Sequence, residues 1–139
     1  MLDIKVLRER PEAAKAGAVK KHMPERAGAV DRALAIDADL RAMTPKLDAM
    51  RSEQKAGGKQ LGKLDAEQRE AFLAKQKELK AKLQVLEEEE RLLRSQLQEQ
   101  LSLVPNIPDD EVPDGKDDAE NDEVRKVGEI RAFDFTPRP

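Results

Sequence analysis

Leu61-Gly62-Lys63-Leu64-Asp65-Ala66-Glu67-Gln68 decides how this chain folds, because it interrupts one helical pattern and starts another. Gly62 suits the end of a helix. Asp65, followed three places later by Gln68, has the form of a capping box that opens the next one. Backward from this turn, Leu64, Leu61, Gly57, Gln54, Met50, Leu47, Met43, Leu40, Ile36 and Ala33 recur in alternating steps of three and four residues. Forward from it, Phe72, Gln76, Leu79, Leu83, Leu86, Glu90, Leu93, Leu97, Gln100 and Val104 do the same. A period of about 3.5 residues is the seam of a coiled coil. Two such ladders joined by a short polar turn predict an all-α fold dominated by a long antiparallel two-helix hairpin, each arm roughly 50 Å long at ~1.5 Å per residue. The competing arrangement, a helical bundle folded back on itself, is disfavoured by loop length.

The expected boundaries are a short helix over about 11–21 and coiled-coil helices over about 29–61 and 66–103, all within a domain of residues 1–104. Residues 105–139 then form a connector, in which Val124 to Phe135, with Phe133 and Phe135 alternating about Asp134, reads as one or two short strands. Gly57-Gly58 lies inside the first ladder, and two adjacent glycines cost a helix on the order of 1–2 kcal/mol relative to alanine. The outer end of the hairpin is therefore expected to be its softer end.

Composition fits a rod. Charged residues make up 40% of the 139 and aromatic ones 2%, with three Phe and neither Trp nor Tyr, so a large globular core has little to build it. One domain is the expectation. With no Cys there is no disulfide or thiolate metal site. The start MLDIKVLRER lacks the apolar stretch of a signal peptide, and no segment is long and apolar enough to span a bilayer. A soluble, cytoplasmic protein without membrane partners is expected.

The net charge of -3 conceals an uneven distribution. From Lys46 to Lys82 ten basic residues face six acidic ones, whereas Asp109 to Asp134 carries eleven acids against four bases. A basic tip on an acidic root polarises the rod toward a polyanion. Arg51, Lys55, Lys59 and Lys63 recur every four residues along the first helix; Arg69, Lys75, Lys77, Lys80 and Lys82 follow on the second. These nine are the candidate nucleic-acid contacts. No aromatics interleave with them, so base stacking is not expected, and what they can grip is phosphate backbone and duplex shape. The same lysines would equally serve solubility and pairing with glutamates in a structural or protein-interaction coiled coil without any RNA role.

Other features carry less. His22 is the only histidine, so neither a His-based triad nor a two-histidine metal site can be assembled. Gly57-Gly58-Lys59 echoes a phosphate loop but lacks its strand. Glu87 to Glu90 points around most of a helix and reads as solvated surface with one polar seam position at Glu90. Catalytic, cofactor-binding and metal residues are expected to be none.

The two ends of the chain then bear on function. Met1-Leu2-Asp3-Ile4-Lys5-Val6-Leu7-Arg8-Glu9-Arg10-Pro11-Glu12 resembles the start of bacterial seryl-tRNA synthetases, close to MLDIKxIRENPE. Arg51-Ser52-Glu53-Gln54-Lys55 and Gly62-Lys63 are similar to that family's long tRNA-binding arm. Val104-Pro105-Asn106-Ile107-Pro108 with Val112-Pro113-Asp114-Gly115-Lys116-Asp117, then Glu120 to Phe135, resemble its connector and the "ENxEVRxxGxPxxFxF" segment leading into a catalytic domain. Val127 stands where many members carry Trp, and Asp109-Asp110-Glu111 replaces a commoner His-Pro segment.

The resemblance implies the arm of a class II serine-tRNA ligase, an ATP- and Mg²⁺-dependent enzyme whose active site lies in a domain beginning after Pro139. This chain alone would not be an enzyme. It would grip the elbow and long variable arm of serine tRNA, and of selenocysteine tRNA, for a homodimeric parent, and as an isolated piece it is expected to be monomeric. Ending at Thr136-Pro137-Arg138-Pro139, in mid-motif, is what an excised domain would do.

Overall fold

The computed structural model of the chain describes residues 2–129 and 131–136, apart from the side chains of Lys59, Lys63, Ala66 and Glu67. It divides into two units, Met1–Pro108 and Asp109–Pro139. The first holds four α-helices among the described residues: α1 (Ile4–Glu9), α2 (Pro11–Lys20), α3 (Ala27–Gln60) and α4 (Ala66–Leu103).

Helix α1, which the sequence reading did not single out, starts where the Asp3 side chain accepts a hydrogen bond from the Lys5 amide at 2.8 Å. One residue separates it from α2, which opens on Pro11, a position where a missing N–H costs nothing. Helix α2 ends in a Schellman motif: the Met23 amide donates to the Ala18 carbonyl at 2.9 Å and the His22 amide to that of Val19 at 2.9 Å. His22 takes the left-handed conformation (φ 55°) that this motif requires.

The long helices pair along the two ladders, and every ladder position from Ala33 to Leu64 and from Phe72 to Val104 is buried or half-buried. Pro45 sits inside α3. It lacks the N–H that a helix interior needs, a defect worth about 3 kcal/mol, and the helix continues because Met43 and Leu47 on either side are held in the seam. At the tip, Leu61–Lys63 forms a 3-10 turn and Asp65 caps α4 by accepting from the Gln68 amide at 2.8 Å. Gly62 does not use its conformational freedom, for its φ is not positive; the reversal is made by extended backbone at Leu64 and Asp65. Gly57 does have a steric role, since a Cβ there would run into the Gln76 amide across the seam.

The core proper is at the root. Leu7, Ala14, Ala29, Val30, Ala33, Leu101 and Val104 form one buried cluster, with Leu2, Ile4, Leu34, Leu97 and Ile107 packed on it. Asp37 is buried beside it and is neutralised by Arg41 at 2.9 Å and Arg8 at 3.6 Å, which ties α1 to α3. Lys15 of α2 bridges to Asp31 of α3 at 2.7 Å, and this bond, with a second to Glu12, holds its ammonium pKa above the usual value. Residues 105–108 belong to this unit because they close over α2: a Cβ on Gly17 would lie 2.9 Å from Pro108 Cδ and 3.3 Å from Ile107 Cα.

In the second unit Asp117 caps a 3-10 turn over Asp118–Glu120, and the Glu120 carboxylate accepts from the Lys116 amide at 3.0 Å. The short strands expected over Val124 to Phe135 are absent among the described residues, with Ile130 outside them. A strand needs a neighbour for its backbone hydrogen bonds, and this segment has none there; Val124 is 96% exposed. Phe133 and Phe135 instead meet each other at a centroid distance of 5.2 Å, with the Arg131 guanidinium 5.4 Å above Phe133.

Candidate nucleic-acid interface

Heptad register determines where each outer cation points. Residues one and four places after a seam position turn toward one side of the hairpin, and those one place before turn toward the other. Arg51 follows Met50, and Lys80 follows Leu79; the structure brings them to a shared groove lined also by Gln54, Leu83, Gln84 and Glu87. Lys55 lies one turn beyond Arg51, and Lys77 three residues before Lys80, so both extend the same side. Lys75 and Lys82 precede the seam residues Gln76 and Leu83 and face the opposite side, where Lys82 lines a groove with Met50 and Val85. Arg51 and Lys55 of α3 thus share a side with Lys77 and Lys80 of α4 and not with Lys75 and Lys82.

The cations also differ in what they already hold. Arg51 donates to Glu87 at 3.1 Å and to Glu90 at 3.4 Å across the hairpin, with Asp48 at 3.7 Å. Its guanidinium pKa is raised, chiefly by Glu87. Arg51 is therefore a clamp between α3 and α4 first. Lys82 pairs with Glu78 at 2.6 Å, which raises the pKa of the one and lowers that of the other. Arg69 closes the turn, its guanidinium donating to the Leu61 carbonyl at 3.5 Å. Lys55, Lys75, Lys77 and Lys80 are exposed and make no ion pair or hydrogen bond with described residues. The side chains of Lys59 and Lys63 lie outside the described part of the structure.

One side of the outer hairpin thus presents Lys55, Lys77 and Lys80 around Arg51, while Glu87 in the same groove and Asp48 are engaged by Arg51 itself. Such an arrangement can place ammonium groups on successive phosphates without reading bases. The sequence reading missed the Arg51–Glu87 pair, treating the run from Glu87 to Glu90 as solvated surface apart from the polar seam position at Glu90, which the structure half-buries. Its signal was present: both residues directly follow a seam residue, Met50 and Leu86. Glu90 is drawn in too, for hydrogen bonds from Arg94, the shorter at 2.6 Å, hold its carboxyl below the usual range, against partial burial and with a smaller effect of Arg51. Among the described residues no group of three or more His, Cys, Asp or Glu is placed to hold a metal ion, and no helix is long and apolar enough to cross a membrane.

Comparison with known proteins finds a match of residues 1–108 to the family described as the seryl-tRNA synthetase N-terminal domain. A serine–tRNA ligase of Deinococcus radiodurans is 39% identical over 99% of this chain and 32% of its own length. One from Dictyoglomus turgidum is 34% identical over 99% of this chain and 32% of its own length. The chain thus spans about a third of the length of the curated relatives it matches. Among solved structures, the seryl-tRNA synthetase of Pyrococcus horikoshii complexed with ATP is similar with a TM-score of 0.74 and 32% identity, over 86% of this chain and 27% of that one.

Proposed function

Because the chain belongs to the seryl-tRNA synthetase N-terminal domain family, we propose that it is the tRNA-binding arm of a serine–tRNA ligase, a class II aminoacyl-tRNA synthetase. The observation that carries the proposal is the group of exposed lysines Lys55, Lys77 and Lys80, which make no ion pair with described residues, beside the Arg51 clamp on one side of the hairpin. In this reading the lysines lie along the phosphates of serine tRNA at its elbow and long variable arm, and of selenocysteine tRNA, which shares the need for seryl transfer. Duplex RNA exposes backbone and 2′-OH groups across a wide, shallow groove, a surface that a straight helical hairpin can follow. The arm's part in the reaction is positional: it holds the tRNA body so that the acceptor end reaches the catalytic domain of a homodimeric, cytoplasmic ligase. ATP and Mg²⁺ chemistry belongs to that domain.

Binding of the 139-residue chain to serine tRNA, compared with a tRNA that has a short variable arm, tests the proposal. Tighter binding of serine tRNA is expected. Equal affinity for the two would reject the arm's role in selecting the long variable arm.

A further inference from the structure

The three nitrogens of the Arg51 guanidinium each face a carboxylate of the chain itself. Nε donates to Glu87 at 3.1 Å, Nη2 donates to Glu90 at 3.4 Å, and Nη1 stands 3.7 Å from Asp48. Yet the side chain is 44% exposed and lines the groove that Lys80 shares, on the side of the hairpin that also carries Lys55 and Lys77. A cation placed among lysines but turned wholly onto its own acids is badly set to hold a phosphate. Its geometry suits another task.

The three acids differ in what else holds them. Glu90 is bound by Arg94 at 2.6 and 3.0 Å, and its side chain is only 14% exposed. Of the described residues that line the groove, Glu87 alone is acidic. Its side chain is as exposed as that of Arg51, and among the described residues Arg51 is the one cation paired with it. Lys80 and Glu87 stand seven residues apart along one line of α4, a separation of roughly 10 Å. A row of phosphates laid along Lys77 and Lys80 therefore passes close to Glu87. A bare carboxylate there would repel that row and draw the Lys80 ammonium toward itself.

We infer that Arg51 is a charge shield and not a phosphate ligand: by pairing with Glu87 it cancels the negative charge in the groove and leaves Lys80 to the RNA. The inference rests on the reading of this side of the hairpin as the RNA-binding surface. Within that reading Arg51 is a positioning residue, because it acts through Glu87 and Lys80 and not on the tRNA. Arginine suits the role. Its planar fork reaches Asp48 on its own helix and Glu87 and Glu90 across the seam at once, and its charge persists at every pH the protein meets.

Serine tRNA binding by the chain carrying R51A, E87Q or R51A/E87Q separates the shield from a phosphate ligand and from a clamp alone, with helicity followed by circular dichroism. As a shield, Arg51 predicts that R51A binds roughly fivefold more weakly and that E87Q binds at least as tightly as the wild type. R51A/E87Q, which removes both charges, should return to within about twofold of the wild type and keep its salt slope.

A phosphate ligand at Arg51 would instead leave R51A/E87Q as weak as R51A, with a log-log slope lower by roughly 0.7–0.9. A clamp with no electrostatic role would make E87Q as weak as R51A, since either change breaks the same pair. Both results would overturn the shield, and so would wild-type binding by R51A. K55A/K77A/K80A, measured alongside, keeps the shield apart from the reading beneath it. If that variant binds serine tRNA as the wild type does, this side is not the RNA surface and the shield falls with it. If it binds weakly while R51A/E87Q fails to recover, the shield alone is wrong.

Discussion

His22 occupies the one left-handed backbone position among the described non-glycine residues, at the end of α2. Glycine reaches that conformation without a Cβ penalty. His22→Gly should therefore raise unfolding free energy by about 0.5–1 kcal/mol, measured by urea denaturation; a loss of stability would mean the imidazole contributes more than its backbone strain costs. Nothing in the sequence marked this cap, because the usual glycine is missing. Glu90 gives a second residue-scale prediction. Its carboxyl is held below the usual range by Arg94, so the stability it contributes is present above the unfolded value near ~4.3 and is lost as pH falls through the lower folded value. Glu90→Gln should melt below the wild type at neutral pH, and the gap should close as pH falls below the unfolded value near ~4.3. A gap independent of pH would contradict it.

Among the elements, the two long helices were legible in the sequence because a seam residue recurs without a slip from Ala33 to Val104 except across the turn, and each one is buried or half-buried. The turn was legible from Asp65 and Gln68, whose side-chain cap the structure contains. What did not follow from pattern depends on partners distant in sequence. Arg51 and Glu87 meet only because the hairpin register sets their heights, and a strand over Val124 to Phe135 would require a neighbour that its own residues do not supply. Helix α1 has a readable Asp3 cap, but Pro11 follows so soon that the segment is too short to show a period. The seam also thins outward: the tip rests on Gln54, Gly57 and Gln76, whereas the root packs Leu7, Val30, Leu101 and Val104. Amide hydrogen exchange should accordingly be faster over residues 54–76 than over 83–97. Uniform protection along both arms would show that the polar tip is as tightly closed as the apolar middle.

For the whole molecule, the candidate site was legible as a class of residue and not as a set of partners. All nine basic candidates were visible as an excess of charge near the tip, but only the ion pairs in the structure separate the cations that bind the chain's own acids, Arg51 and Lys82, from those left facing solvent, Lys55, Lys75, Lys77 and Lys80. That separation permits a sharper test than charge removal in general. The deciding measurement is the salt dependence of serine tRNA binding for the wild type, for K55A/K77A/K80A, and for R91A/R94A at the root, where the arginines pair with Glu88 and Glu90. Removing one lysine–phosphate pairing lowers the log-log slope by roughly 0.7–0.9. The tip variant should therefore bind more weakly with a slope reduced by up to about 3, while the root variant keeps nearly the wild-type slope and both keep their helicity. Equal, small changes in the two variants, with helicity intact, would contradict the claim that the outer hairpin is the RNA-binding surface.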